Sequence, residues 1–175
     1  TGIAAPAHRF VKTREEAMAA AAELGYPLVM KIVSPQILHK SDVGGVKLKL
    51  ANAQMVGDAF DQLAAIGAGK DFRGGLLYPM LKGGQELIVG FHRDPQFGPV
   101  VLCGLGGIYT EILKDVAMRV APVSPAEAEE MLRSLKTWPL LNGARGSRPI
   151  DLAAAAQLIS RFSRLPLVYP QLKEG

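Results

Sequence analysis

Apolar residues recur at helical spacing in four stretches of the chain. After Thr13, residues Ala17, Ala20, Ala21 and Leu24 fall on one face and Gly25 closes the run. Thr13 and Glu16 supply a T-x-x-E start signal, in which a hydroxyl and a carboxylate can satisfy the unpaired N–H groups of a first turn. A second pattern runs from about Asn52 to Ile66, with Met55, Val56, Ala59, Phe60 and Leu63 inward and Gly67 after it. Ser124, Pro125 and Glu127 open a third helix with proline at its first position and a stripe of Met131, Leu132 and Leu135. Asp151 caps a fourth, carrying Leu152, Ala155, Ile159 and Phe162.

Between them lie strand signals. Pro27 to Val33 is a short apolar run that enters a loop, and Val46-Lys47-Leu48-Lys49-Leu50 alternates as a half-buried strand does. Leu76 to Leu81, Glu86 to Phe91, Pro99 to Leu102 and Ile108 to Leu113 are further strands, and Asp94-Pro95 marks a hairpin turn. Helices and strands mix without regular βαβ alternation, which predicts an α+β fold rather than a doubly wound parallel sheet. Two glycines at Lys82-Gly83-Gly84 make the best boundary, dividing the chain into lobes 1–82 and 83–175.

Composition narrows the class. The 175 residues are 49% hydrophobic and 21% charged, so the chain folds rather than staying disordered. Its first residue is Thr1, which points to a processed, cut or partial chain. The most apolar stretch, Pro99 to Leu113, is interrupted by Gly104, Gly106, Gly107 and Glu111, whereas a membrane span needs about 20 mostly apolar residues. No signal-peptide pattern opens the chain. The single cysteine, Cys103, excludes an internal disulfide and a cysteine metal site, and suits a buried position in a reducing cytoplasm.

The net charge of +4 is unevenly distributed. Lys31, Lys40, Lys47 and Lys49 against Asp42 give +3 between Val29 and Leu50; Arg145, Arg148, Arg161 and Arg164 against Asp151 give +3 between Pro139 and Arg164. Such patches attract phosphate, although a solvated charged face explains either one as well. Nucleic acid is the weaker reading, because aromatics make up 6% and none interleaves with a basic segment.

Familiar nucleotide motifs fail. Gly104-Leu105-Gly106-Gly107-Ile108-Tyr109 starts like a dinucleotide fingerprint but ends on tyrosine, and Gly69-Lys70 is followed by Asp71 where a P-loop needs Ser or Thr. The informative stretch is Tyr26 to Lys47. A strand delivers Lys31 at its end, a loop follows with Ser34, His39, Lys40, Ser41, Asp42, Gly44 and Gly45, and a strand resumes with Lys47. Lysines supply point charges for phosphate, glycines let backbone N–H groups approach an anion, and a neutral imidazole can accept a phosphoryl group. A loop histidine is as readily a surface residue, so these residues by themselves leave both roles open.

YPLVMKIVSPQILHKSDVGGVKLKL, together with GGQELIVGFHRDPQFGPVVLCGLGGIYTEILKDVAMRVAP, closely resembles the ATP-grasp domain of ADP-forming acyl-CoA synthetases, relatives of succinyl-CoA synthetase. The resemblance runs from about Gly2 to the C-terminus. It implies two α+β lobes enclosing a nucleotide cleft, with ATP or ADP and Mg²⁺ as cofactors. Lys31 would be the phosphate lysine, and residues 34–45, with Ser34, Lys40, Gly44, Gly45 and then Lys47, the mobile cover over the phosphates. Gly44-Gly45 would be its hinge. His39, in H-K-S-D-x-G-G, matches the family's second phosphohistidine, the catalytic relay to a histidine in a CoA-binding partner. Leu77 to Met80, with Tyr78 where the family usually has glutamine, would be the hinge against adenine. Glu86 would lie beside the nucleotide, Glu111 and Asp115 would be metal-side carboxylates, and Arg119 would face the same cleft.

The same resemblance implies what is lacking: the helix before Gly2, an E-x-x-I-N-P segment after the last helix, and the CoA-binding domain or subunit through which acyl-CoA enters, so that the chain reads as truncated at both ends. The implied activity is that of one module of an oligomeric acid–CoA ligase, passing a phosphoryl group between ATP and a phosphohistidine. The alternative is a regulatory synthetase-like domain of a bacterial protein-lysine acetyltransferase. Neither nucleic acid nor membrane is an implied partner.

Overall fold

The computed structural model describes residues 2–81, 83–107, 113–146 and 148–175. They fall into two compact units, Ala5–Lys82, and Gly83–Gly175 joined by the N-terminal residues through Ala4. A linear division at residue 82 would put those first residues in the first unit; instead the Arg161 guanidinium donates to the Gly2 carbonyl at 2.9 Å within the second.

The first unit is an antiparallel sheet covered by two helices. Strands β1 (Arg9–Val11), β2 (Leu28–Val33), β3 (Val46–Leu50) and β4 (Gly74–Pro79) lie in the order β1-β4-β2-β3. Helix α1 (Arg14–Leu24) follows β1 and α2 (Ala53–Gly67) follows β3. The start signals act as capping physics requires: Thr13 accepts from the Glu16 N–H, Asn52 from the Met55 N–H, and Gly25 ends α1 at φ 77. The core joins Val11, Leu28, Met30, Ile32, Leu50 and Leu77 of the sheet to Ala17, Ala21, Val56, Phe60 and Leu63 of the helices. Each fully buried large aliphatic side chain contributes about 1.5–3 kcal/mol. Met55 is not inward as the helical pattern predicts; it sits beside the buried stripe and is 41% exposed.

One departure from regular strand pairing shapes this sheet, at β3. Leu28 pairs with Leu50 while Met30 pairs with Lys47, so β3 carries an extra residue, and Lys49 adopts φ 57 to absorb it. Strand β4 begins at Gly74 and ends at Pro79, two residues earlier than its hydrophobic run; the Met80 N–H carries the β2–β4 register one step further, to the Pro27 carbonyl at 2.9 Å, and Pro27 has no N–H to return.

The second unit has an antiparallel sheet of β5 (Leu87–Asp94), β6 (Gly98–Leu105) and β7 (Val116–Val120) in sequential order. The β5–β6 hairpin turns at Asp94, whose carboxylate accepts from the Gln96 and Phe97 N–H groups at 2.8 and 2.9 Å. Lys173–Gly175 lines the outer edge of β5, with Phe91 and Gly175 exchanging backbone hydrogen bonds at 2.8 and 3.0 Å. Helix α3 (Pro125–Ser134) has the full capping box of Ser124 and Glu127; α4 (Trp138–Leu141), a 3₁₀ turn (Ala144–Gly146), α5 (Leu152–Ser163) capped by Asp151, and α6 (Leu165–Val168) come after it. Phe91, Val101, Cys103, Leu105 and Ala117 meet Met131, Leu132, Leu141 and Ile159 in a second core. Of the strand expected over residues 108–113, residues 108–112 lie outside the described residues and Leu113 is not in a strand; the third strand is β7, beginning at Val116. Among the described residues no helix is long and apolar enough to cross a membrane.

Candidate functional site

In the first unit, sheet register decides which side chains share a face. Residues Val29↔Tyr78 and Lys31↔Leu76 are paired between β2 and β4, and paired residues lie on the same side. Met30, Ile32 and Leu77 take the opposite, helix-covered side and are fully buried. Lys31 is therefore exposed on the uncovered face, its Nζ 5.4 Å from the centroid of the Tyr78 ring. A cation over an aromatic face contributes about 0.5–1 kcal/mol at an exposed site, a few-fold preference for the ammonium to stand there.

Lys47 is not beside Lys31. It pairs with buried Met30 and lines a groove between β3 and α2 with Leu50, Met55, Asp58 and Ala59. The bulge at Lys49 causes this, since alternation counted straight through β3 puts the wrong residues on the core side.

The loop between β2 and β3 is anchored at its roots. Ser34, 7% exposed, donates its hydroxyl to the Lys70 carbonyl and accepts from the Gln36 N–H at 3.2 Å. Its oxygen thus organises the loop rather than standing free for a ligand. Ile37 is buried beneath the loop. At the other root, the Gly45 N–H donates to the Lys40 carbonyl at 2.7 Å and its carbonyl accepts from the Ile32 N–H at 2.8 Å. A Cβ at Gly45 would lie 2.6 Å from Ile32 Cγ2. Gly45 is a packed root, so the expected Gly44-Gly45 hinge has one locked member; Gly44 supplies the left-handed turn, at φ 69. Between the roots His39 is exposed, with Leu38, 80% exposed, beside it. His39 opens onto a groove of about 330 Å³ shared with Gln36, Asp42, Val43 and Lys70.

Of the expected adenine hinge, Tyr78 stands in β4 over Lys31, and the Met80 N–H is already occupied by Pro27. Its remaining backbone and thioether are half-buried.

In the second unit the Glu86 carbonyl accepts from the Gly106 N–H at 2.6 Å, extending the β5–β6 ladder. Its carboxylate lies over Gly107, where a Cβ would come 2.6 Å from Oε2, and Gly107 itself is at φ 67. Only glycine lets the backbone turn this close under a carboxylate.

Asp115 behaves differently. It accepts from the Lys136 N–H at 3.2 Å and from the Thr137 N–H and hydroxyl, both at 2.7 Å. Partial burial raises its pKa, but the Thr137 and Lys136 hydrogen bonds outweigh that and hold it below the usual carboxylate range. Asp115 pins the turn after α3 to the start of β7, so both oxygens are committed inside the protein. Glu111 lies outside the described residues.

Arg119 pairs with buried Val101, on the helix-covered side of the sheet, and its charge lowers the Glu127 pKa behind the Ser124 hydrogen bonds that dominate there. It does not share the open face with Glu86. That face instead carries Ile88, Leu102, Val116, Met118 and Val120, an apolar wall that the sequence reading missed. Alternation along β6, with Val101, Cys103 and Leu105 buried, was the signal for it.

A family model described as an ATP-grasp domain matches residues 1–175. The chain belongs to the ATP-grasp domain family. It is 47% identical, over 99% of its length and 76% of the relative's, to the β subunit of ADP-forming acetate–CoA ligase I from Pyrococcus furiosus. It is 45% identical to the ADP-forming 4-hydroxybutyrate–CoA ligase of Nitrosopumilus maritimus, of which it spans 25%. Among solved structures it is similar to the dinucleotide-forming acetyl-coenzyme A synthetase 1 of Candidatus Korarchaeum cryptofilum in complex with coenzyme A and Ca-AMPCP, with a TM-score of 0.93, 40% identity, and coverage of 99% of this chain and 77% of that one. Another structure of that synthetase holds Mg-AMPPCP, with its phosphohistidine segment pointing towards the nucleotide site. This ATP-grasp domain thus spans about three quarters of a separate β subunit and about one quarter of the single-chain ligase.

A protein-held Mg²⁺ is poorly matched by the side chains on view. Among the described residues no group of three His, Cys, Asp or Glu could hold a metal ion, and Asp115 is committed to residues 136 and 137. Among the described residues Glu86, expected beside the nucleotide, keeps an exposed carboxylate, and Mg²⁺ commonly binds through one or two carboxylates plus substrate phosphates.

Proposed function

We propose that this ATP-grasp domain is the nucleotide module of an ADP-forming acyl-CoA ligase and that His39 carries the phosphoryl group. The observation that supports it is the loop: His39 stands exposed between two fixed roots, in the same unit as the uncovered Lys31–Tyr78 face. In the ATP-forming direction, an oxygen of the ADP β-phosphate attacks phosphorus on phospho-His39. The P–N bond breaks, the imidazole nitrogen keeps the electron pair, and a P–O bond forms. In reverse, a neutral ring nitrogen of His39 attacks the γ-phosphorus and ADP leaves with the bridging oxygen.

Such a transfer depends chiefly on positioning and charge neutralisation. Lys31 supplies a cation for the phosphates on the uncovered face of the first unit. Mg²⁺ bound with the nucleotide would neutralise phosphate charge, and Glu86, exposed in the second unit, would be a carboxylate to hold it. The other histidine and the acyl-CoA site belong to a CoA-binding domain or companion subunit, in an oligomeric enzyme of the reducing cytoplasm, in keeping with one buried cysteine.

The test is made on the complete ligase with γ-³²P-ATP. The wild type forms an acid-labile phosphoprotein whose label maps to His39, and His39→Ala loses that label while still binding ATP. Equal labelling of His39→Ala refutes the assignment.

A further inference from the structure

The structure brings to His39 one cation that no motif announces. Lys70 lies 31 positions away in the sequence, at the turn between α2 and β4, yet it lines the same groove as His39 and Asp42. The turn that carries it is held from several sides. The Lys70 N–H donates to the Gly67 carbonyl at 2.9 Å, and the Arg73 N–H to the Val33 carbonyl at 2.9 Å. Phe72 packs edge-on against Phe60 at 5.8 Å. Gly69 and Asp71, on either side of Lys70, are both left-handed, at φ 75 and 45. Asp71 is a non-glycine residue in that region, a conformation that persists only where surroundings enforce it.

The same turn also holds the loop, because the Lys70 carbonyl receives the Ser34 hydroxyl. Charge is distributed with equal economy. Arg73 pairs with Asp71 at 3.0 Å, and among the described residues no ion pair joins Lys70 to Asp42 or to any other carboxylate. An exposed, unpaired lysine on a fixed turn, at the edge of a groove that a loop histidine lines, has the chemistry of a phosphate seat. Its ammonium can donate charge-assisted hydrogen bonds to phosphoryl oxygens.

We infer that Lys70 binds the phosphoryl group while it rides on His39, so that the groove is a resting seat for the phosphorylated loop between its visits to nucleotide and partner. This rests on the assignment of His39 as the carrier. No bond is made or broken in the seat. Lys70 neutralises the dianion on the imidazole and shields the P–N bond from attack by water, in which phosphorus would pass to water oxygen and the ring nitrogen would regain its lone pair.

The experiment uses the complete ligase, labelled with γ-³²P-ATP and freed of nucleotide, and follows the decay of acid-labile label in wild type, Lys70→Gln, Lys70→Arg and His39→Ala. Lys70→Gln should shorten the lifetime of the label about tenfold, with the KM for ATP unchanged and the melting temperature of the wild type. Lys70→Arg, which keeps the positive charge, should restore the lifetime. A Lys70→Gln lifetime equal to wild type overturns the seat while leaving His39 as carrier. Failure of Lys70→Arg to restore it overturns the charge argument in favour of a purely structural turn. Label retained in His39→Ala removes the carrier, and the seat with it.

Discussion

Alanine at Gly45 should damage the protein more than alanine at Gly44, although Gly44 is the residue with unusual backbone geometry. At Gly45 the added Cβ would stand 2.6 Å from Ile32 Cγ2 and 2.9 Å from the Lys40 carbonyl oxygen. Ordinary contact begins near 3.4 Å, so one side must withdraw by about 0.8 Å. Ile32 cannot yield, since it is fully buried in the first core, and retreat of the loop stretches the Gly45–Lys40 and Ile32–Gly45 hydrogen bonds. Overpacking of this kind costs about 1–3 kcal/mol and a weakened hydrogen bond about 1 more, giving roughly 2–4 kcal/mol for Gly45→Ala. At Gly44 the nearest atom to an added Cβ is Ile66 Cδ1 at 3.8 Å, so there is room, and the penalty is the left-handed φ of 69 alone, about 1–2 kcal/mol. Native-state hydrogen exchange at the Ile32 and Gly45 amides reads both variants locally, and a urea titration reads them globally. Gly45→Ala should lower the opening free energy at Ile32 by the larger amount. A loss at Gly44→Ala equal to or greater than that at Gly45→Ala refutes the reasoning, and so does a Gly45→Ala protein with unchanged exchange at Ile32.

Lys31→Ala should weaken ATP binding by at least about tenfold while leaving adenosine binding nearly unchanged, because the ammonium acts on phosphate and not on the base; isothermal titration giving equal losses for both ligands rejects the role. Asp115→Ala should destabilise the second unit by about 1 kcal/mol through loss of the bonds to residues 136 and 137, seen in thermal unfolding. Its pKa is held below the ordinary value, so its contribution to stability is present above the usual carboxylate range and fades as pH falls towards the lowered folded pKa; an acid titration of stability in which wild type and Asp115→Asn run parallel contradicts this. Cys103 is fully buried, and desolvation pushes its thiol up to about 11 against a small opposing pull from Arg119, so folded protein at pH 8 should resist iodoacetamide that reacts readily after denaturation. Rapid alkylation of the native chain overturns that.

The features legible in the sequence are those whose cause spans a few residues. Thr13, Asn52, Ser124 and Asp151 each accept from an N–H three positions later, so the four long helices announce their own beginnings. The Asp94 turn is equally local. The long motif from Tyr26 to Leu50 carried the family, and with it the roles proposed for Lys31 and His39. What failed depends on distance or on counting. Lys47 was expected among the phosphate residues, and a single left-handed residue, Lys49, puts it on the helix-covered side of the sheet. Asp115 has the residue type of a metal ligand, but the groups that occupy it sit 21 and 22 positions further on.

Lys70 is the converse case: nothing around it in the sequence suggests phosphate, and it reaches the His39 groove through a turn held by Ser34, Val33 and the Phe72–Phe60 contact. These errors and omissions share a physical basis. A phosphate site built on loops and sheet edges is assembled from side chains that need a position, not a neighbourhood, and the position is fixed by backbone bonds made elsewhere. In this chain the histidine proposed as carrier is legible because its own loop must have a particular sequence to turn at Gly44 and pack at Gly45. The cations that would meet a phosphoryl group there need only a rigid place to stand, and many sequences provide one.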